Sequence, residues 1–171
     1  LGYQTAALTE AERAAEGAAG LPREEALRIE GVRHEVAEQW PSAAETYRAL
    51  AALVPDDLDT GLLLARTLRR AGEAAASLDT VAALRRLPPP AGYDPRLDLA
   101  AAEAYAELGR HAERLEAALA AGRRARELGA GVLLAWARFE EGAARRRVGE
   151  RDLARGALEE SMGGALAAAA V

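Results

Sequence analysis

No cysteine, lysine or asparagine occurs in this sequence, and each absence removes a class of chemistry. Without cysteine there is no disulfide framework, no thiolate nucleophile and no sulfur-rich metal site, so the redox compartment leaves no mark on the chain. Without lysine there is no Schiff base and no phosphate-binding loop of the glycine–lysine kind, and no Gly-x-Ser-x-Gly elbow occurs either. His34 and His111 are the two histidines and stand far apart, which leaves no pair for a metal site. Aromatic residues are scarce, with one Phe, two Trp and four Tyr, and they form no stripe on which bases would stack. No apolar run approaches the roughly 20 residues of a membrane-spanning helix, and the first residues lack the basic-then-apolar pattern of a secretory leader. The expected setting is cytoplasmic, with no membrane partner.

Charge narrows the field further. A formal net charge of −5 over 171 residues argues against the cationic surface that drives direct nucleic-acid binding. Carboxylates are plentiful, but pairs such as Glu24-Glu25, Asp56-Asp57 and Glu159-Glu160 fall at helix ends or on solvated faces rather than converging. The expectation is a chain without catalytic, cofactor or metal-ligating residues.

What the sequence does have is alanine, 45 of them, in a helix-forming and close-packing mixture. It also repeats. Gly31 and Ala65, Tyr47 and Val81, Leu50 and Leu84, and Pro55 and Pro89 each lie 34 positions apart. A period of that length marks one helical hairpin copied along the chain, each copy too small to bury its own apolar face and stable only when stacked on neighbours. Helical periodicity and turn residues predict nine helices, all-α. The first runs to about Gly20, with Thr9 and Glu12 as a capping box. Pro22 opens a second that reaches about Gln39. Trp40-Pro41 forms a turn, and Ser42 with Glu45 caps a third helix that ends before Pro55. The next hairpin runs from Leu58 to Arg86 around Ala71-Gly72-Glu73, and Pro88-Pro89-Pro90 stops it. Asp94 as N-cap and Pro95 as first helical residue start a third hairpin that turns at Gly109, and a fourth spans Gly131 to Met162 with a turn at Gly149. Residues 1–20 read as the second helix of a preceding repeat, 21–162 as four hairpins in one solenoid, and 163–171 as a tail, a truncated helix or a vector remnant.

This pattern resembles the tetratricopeptide repeat, which carries a small residue at its eighth position, a large apolar one at the eleventh, Gly at the fifteenth, Ala at the twentieth, an aromatic at the twenty-fourth and Pro at the thirty-second. Counting from Glu24 gives Gly31, His34, Glu38, Ala43, Tyr47 and Pro55; counting from Leu58 gives Ala65, Leu68, Gly72, Ser77, Val81 and Pro89. From Pro95 come Ala102, Tyr105 and Gly109, with Arg114 and Ala118 in the second helix. From Ala135 come Gly142, Gly149, Ala154 and Leu158, with Arg138, Glu141 and Arg145 where apolar contacts are expected. The segments Leu21-Pro22-Arg23-Glu24-Glu25, Leu87 to Pro90 and Glu127-Leu128-Gly129-Ala130 are similar to the C-terminal repeat regions of bacterial winged-helix transcriptional regulators and eukaryote-like Ser/Thr kinases.

The resemblance implies a right-handed superhelix of paired helices that serves as a non-catalytic protein-interaction or sensor scaffold in a larger bacterial regulator. It also implies a concave groove lined by the first helix of each repeat. On this chain the charged and aromatic groove positions are Arg28, Glu35, Arg66, Arg69, Arg70, Glu103, Glu107, Trp136, Phe139, Arg146 and Arg147. Forked guanidiniums and an aromatic anchor suit an acidic or carboxylate-bearing peptide. Two plainer readings compete: Arg66, Arg69 and Arg70 pair with Glu103 and Glu107, and Trp136 and Phe139 are core. A homodimerisation module and a small-molecule sensor with Trp136, Phe139 and Arg146 around one cavity are the rival functions. His34 is expected to be a hydrogen-bonded core histidine and His111 to be solvated, while Tyr47 and Tyr105 are expected in the core.

Overall fold

A computed structural model describes residues 2–18 and 20–169, with side chains over 6–18 and 20–164. Nine α-helices occur among the described residues: α1 (Gly2–Gly17), α2 (Arg23–Val36), α3 (Trp40–Leu53), α4 (Leu58–Arg70), α5 (Ala74–Leu84), α6 (Pro95–Glu107), α7 (His111–Glu127), α8 (Gly131–Val148) and α9 (Arg151–Ala169), with a single 3₁₀ turn at Ala91–Tyr93. No strand is present among them. The fold is all-α, and α1 to α4 and α6 to α9 each pack on the helix that follows within their series.

The hairpin turns share one backbone device. The N–H groups of Gln39, Glu73, Arg110 and Glu150 reach back five residues to the carbonyls of His34, Leu68, Tyr105 and Arg145, at 2.9, 2.8, 2.9 and 2.9 Å. That is the helix-closing bond of a Schellman turn, and it requires the residue before the donor to adopt a left-handed conformation. Gly72, Gly109 and Gly149 do so at φ of 84, 70 and 92°. In the first hairpin the same place is held by Glu38 at φ 56°, the one non-glycine with positive φ among the described residues.

Helix starts differ in part from expectation. Asp94 caps α6 as anticipated, accepting the Arg96 N–H at 2.8 Å with Pro95 in the first turn. Asp57 caps α4, accepting the Thr60 N–H at 3.1 Å. The Ser42 and Glu45 capping box does not form, because α3 already starts at Trp40 with Pro41 in its first turn; proline there loses no hydrogen bond and its fixed φ suits the helix. Trp40-Pro41 therefore opens a helix instead of turning the chain. Thr9 lies inside α1, which begins at Gly2, so no cap forms at Thr9 and Glu12. At the other end α9 continues through Ala169, taking in residues 163–169; Leu1, Ala19, Ala170 and Val171 lie outside the described residues.

The chain divides into two compact units, residues 1–76 and 77–171, with the division inside α5. In the first, α3 packs on α2 and α4, and α1 on α2. Its core joins Ala43, Ala44, Tyr47 and Leu50 of α3 to Leu64 and Leu68 of α4, with Leu27 of α2 against them. Gly31 is the contact that brings α2 onto α3: its missing side chain leaves room for the Tyr47 ring. In the second unit, α7 packs on α6 and α8, and α8 on α9. Leu99, Ala121 and Ala137 form the shared centre, and alanine, the commonest buried residue of the unit, lets the helices approach closely.

Candidate functional site

In unit 1 the first helices of the two hairpins, α2 and α4, carry Arg28, Glu35, Arg66, Arg69 and Arg70. Arg28 donates to Glu24 at 3.1 Å and to Asp57 at 3.3 Å. These carboxylates, Glu24 first, hold the guanidinium above its ordinary range. Arg66 pairs with Glu35 of α2. Arg70 lies over the Trp40 ring, 5.2 Å from its centroid, a cation–π contact across the unit. Arg69, Glu103 and Glu107 are not free side chains. The arginine cluster of α4 is therefore largely engaged, while Val32 stands exposed one turn from Arg28.

Behind this face Tyr47 is buried at 1 % exposure, as expected from its repeat position. Its Oη and Glu35 Oε1 are both buried without a hydrogen-bond partner among the described residues. Burial pushes the phenol up, and the Glu35 carboxylate adds to it. His34 is hydrogen-bonded, with Nδ1 2.8 Å from Gln39 Oε1.

Unit 2 replaces apolar contacts by buried ion pairs. Asp98, 3 % exposed at its side chain, accepts from Arg85 and Arg124 at 2.7 Å each. Glu140 accepts Arg114 Nε at 2.9 Å and Nη2 at 2.8 Å. Glu141 takes Arg138 on one oxygen and Arg145 Nε, at 2.9 Å, on the other. Arg138 also meets Glu160 of α9 at 2.9 Å, and Arg145 meets Glu150 at 2.6 Å. The positions that broke the apolar pattern of the third and fourth repeats, Arg114, Arg138, Glu141 and Arg145, are thus the two halves of charge pairs. Arg114 stands where alanine is usual because a buried glutamate on α8 faces it.

Trp136 and Phe139 are 44 % and 50 % exposed, which overturns their reading as core. With Val132 they stand at i, i+4 and i+7 on α8, one apolar stripe facing outward. Arg146 and Arg147 follow two turns later, exposed and without an ion pair among the described residues. Arg146 shares a groove with residues of α9, and neither Trp136 nor Phe139 lines it. His111, expected to be solvated, is half-buried at the start of α7, with its Nδ1 buried and without a hydrogen-bond partner among the described residues. Tyr105 is half-buried under Arg110, 4.9 Å from the ring centroid.

Among the described residues no cluster of His, Asp and Glu is arranged to hold a metal ion, and no helix is long and apolar enough to cross a membrane. The architecture is all-α, built from helices that pack on their neighbours within each unit. No protein-family model matches the chain, and no curated protein matches it. Among solved structures, the crystal structure of MamA aligns over 82% of this chain and 97% of its own, at 14% identity and a TM-score of 0.46.

Proposed function

We propose that this chain is a non-catalytic scaffold that recognises a protein or peptide through the exposed faces of the first helices of its hairpins. The observation that carries the reading is the α8 stripe of Val132, Trp136 and Phe139. Large aromatics left half in water cost the free chain apolar exposure, and Trp is the side chain that most often anchors a protein interface. Arg146 and Arg147, two turns along the same helix, supply forked donors for a carboxylate-bearing partner. In unit 1, Val32 and Arg28 hold the equivalent face of α2, although Arg28 is already paired. The resemblance of several short segments to repeat regions of bacterial regulators supports placing the scaffold in a signalling or transcription-regulatory protein.

A photo-crosslinking side chain at Phe139, compared with one at the exposed Glu116 of α7, tests this in the native host. The reading requires a protein captured from position 139 but not from 116, and lost on Trp136→Ala with the helical spectrum unchanged. The same capture from both positions, or capture unaffected by Trp136→Ala, refutes it.

A further inference from the structure

The groove between the end of α8 and the adjoining face of α9 has a volume of ≈ 440 Å³. Ala154, Leu158 and Met162 form its floor, and Met162 is left 63 % exposed. Three arginines rim it, Arg146 from α8 and Arg151 and Arg155 from α9, against one carboxylate, Glu159. We infer that this groove is a docking site for an acidic amphipathic helix, a surface that shares Arg146 with the α8 face but neither Trp136 nor Phe139, although the inference rests on the same scaffold reading.

Shape and charge both point to that occupant. The α9 residues that line the groove fall at 151, 154, 155, 158, 159 and 162, the i, i+3, i+4, i+7, i+8 and i+11 pattern of one helix face, extending over about three turns or ~16 Å. A ridge of that length and period takes the apolar face of another helix of about 12 residues, by the mode in which anchors at i, i+4 and i+7 fill a helical groove. The rim selects its charge. Most arginines of the unit's interior are matched to carboxylates, as at Asp98, Glu140 and Glu141, whereas Arg146 and Arg151 have no ion pair among the described residues. Arg155 reaches only the nearly fully exposed Asp152, at 4.0 Å. The groove is thus a net positive patch on a chain whose formal charge is −5, which disfavours a second copy of the groove as its own partner and favours Glu and Asp flanking the partner's apolar anchors.

The test is a fluorescence-anisotropy titration of the full chain with a labelled helical peptide of about 12 residues bearing leucines on one face and glutamates beside them. A second peptide carries lysine for each glutamate. The glutamate peptide binds, weakening as salt rises, and the lysine peptide does not. Replacing the rim together, Arg146→Ser, Arg151→Ser and Arg155→Ser, lowers affinity roughly tenfold or more. Met162→Glu, a floor change at an exposed position, abolishes binding without touching the rim. Trp136→Ala with Phe139→Ala leaves binding of this peptide unchanged, so failure here and failure of the α8 reading are read separately. Equal binding of the two peptides, unaltered affinity of the rim and floor variants, or a stable dimer that Met162→Glu dissociates each overturns the inference.

Discussion

A Cβ atom built on Gly31 would lie 2.5 Å from Cε1 and Cζ of Tyr47. The glycine of α2 and the tyrosine of α3 are therefore one packing unit, sixteen residues apart, and the same pairing recurs in the last hairpin, where a Cβ on Gly142 would lie 2.7 Å from Leu158 Cγ and 3.0 Å from the Ala154 carbonyl oxygen. Alanine suits a helix better than glycine by about 1 kcal/mol, yet Gly31→Ala should destabilise the chain by about 1–3 kcal/mol, since the ring must leave its rotamer or push the helices apart. Tyr47→Leu added to Gly31→Ala should recover part of that loss, because the two changes share one space. Chemical denaturation of the two single variants and the double variant checks this; simple additivity would mean that the contact does not set the helix spacing.

Glu38 occupies the turn position that glycine holds in the other three hairpins, at φ 56°. A side chain in that region costs roughly 1–2 kcal/mol, partly offset by the greater freedom glycine has when unfolded. Glu38→Gly should accordingly stabilise the protein by about 0.5–1 kcal/mol, and Gly149→Ala should do the opposite by a similar amount. Thermal melts of both variants decide it, and an unchanged or lower midpoint for Glu38→Gly would show that the turn is not strained.

Much of this architecture could be read from residues that act locally. Gly72, Gly109 and Gly149 mark turns, and Asp94-Pro95 marks a helix start, because each does its work within a few positions of itself. Trp40-Pro41 reads as a turn in the sequence but opens α3, because proline serves both a turn and a first helical residue, and local sequence does not separate the two. Hydrophobic periodicity failed at Arg114, Arg138, Glu141 and Arg145 for a different reason. It scores a buried position by its apolarity, while Arg114 and Glu140 are 26 residues apart and make sense only as a pair. Resemblance to the repeat points to the first helix of each hairpin, whereas Arg151 and Arg155 lie on a second helix.

Those buried pairs carry a stability cost when one member is lost. Asp98 sits between Arg85 and Arg124, which are 40% and 29% exposed at their side chains and so recover some water if abandoned. Asp98→Ala should cost about 2–4 kcal/mol, toward the lower part of the range for broken buried pairs on that account. Glu73→Ala, which breaks the exposed pair with Arg48, should change stability by less than about 0.5 kcal/mol. Urea unfolding of both variants measures the contrast, and comparable losses would show that burial of Asp98 adds nothing.

The capping aspartates set the response to acid. At Asp57 the Thr60 hydroxyl bond is the leading cause of a lowered pKa, with the Thr60 N–H and Arg28 adding to it against the opposing effect of burial. At Asp94 burial acts upward but is outweighed by the side chain and backbone N–H of Arg96. Both carboxyls therefore lie below the ordinary aspartate value of 3.8 in the folded chain. A depressed folded pKa means that folding favours the ionised form. Its contribution is complete above the ordinary value and is lost as pH falls through the folded one. The melting temperature should hold steady from neutral pH down to about pH 5 and then decline progressively. In the double variant Asp57→Asn, Asp94→Asn, the amide oxygens still cap α4 and α6 but no proton is taken up there. Its midpoint should start lower at neutral pH and fall less on acidification, so that the two curves converge at the acid end. Parallel curves would mean that the acid response arises from carboxylates elsewhere and that these two caps contribute no pH-dependent stability.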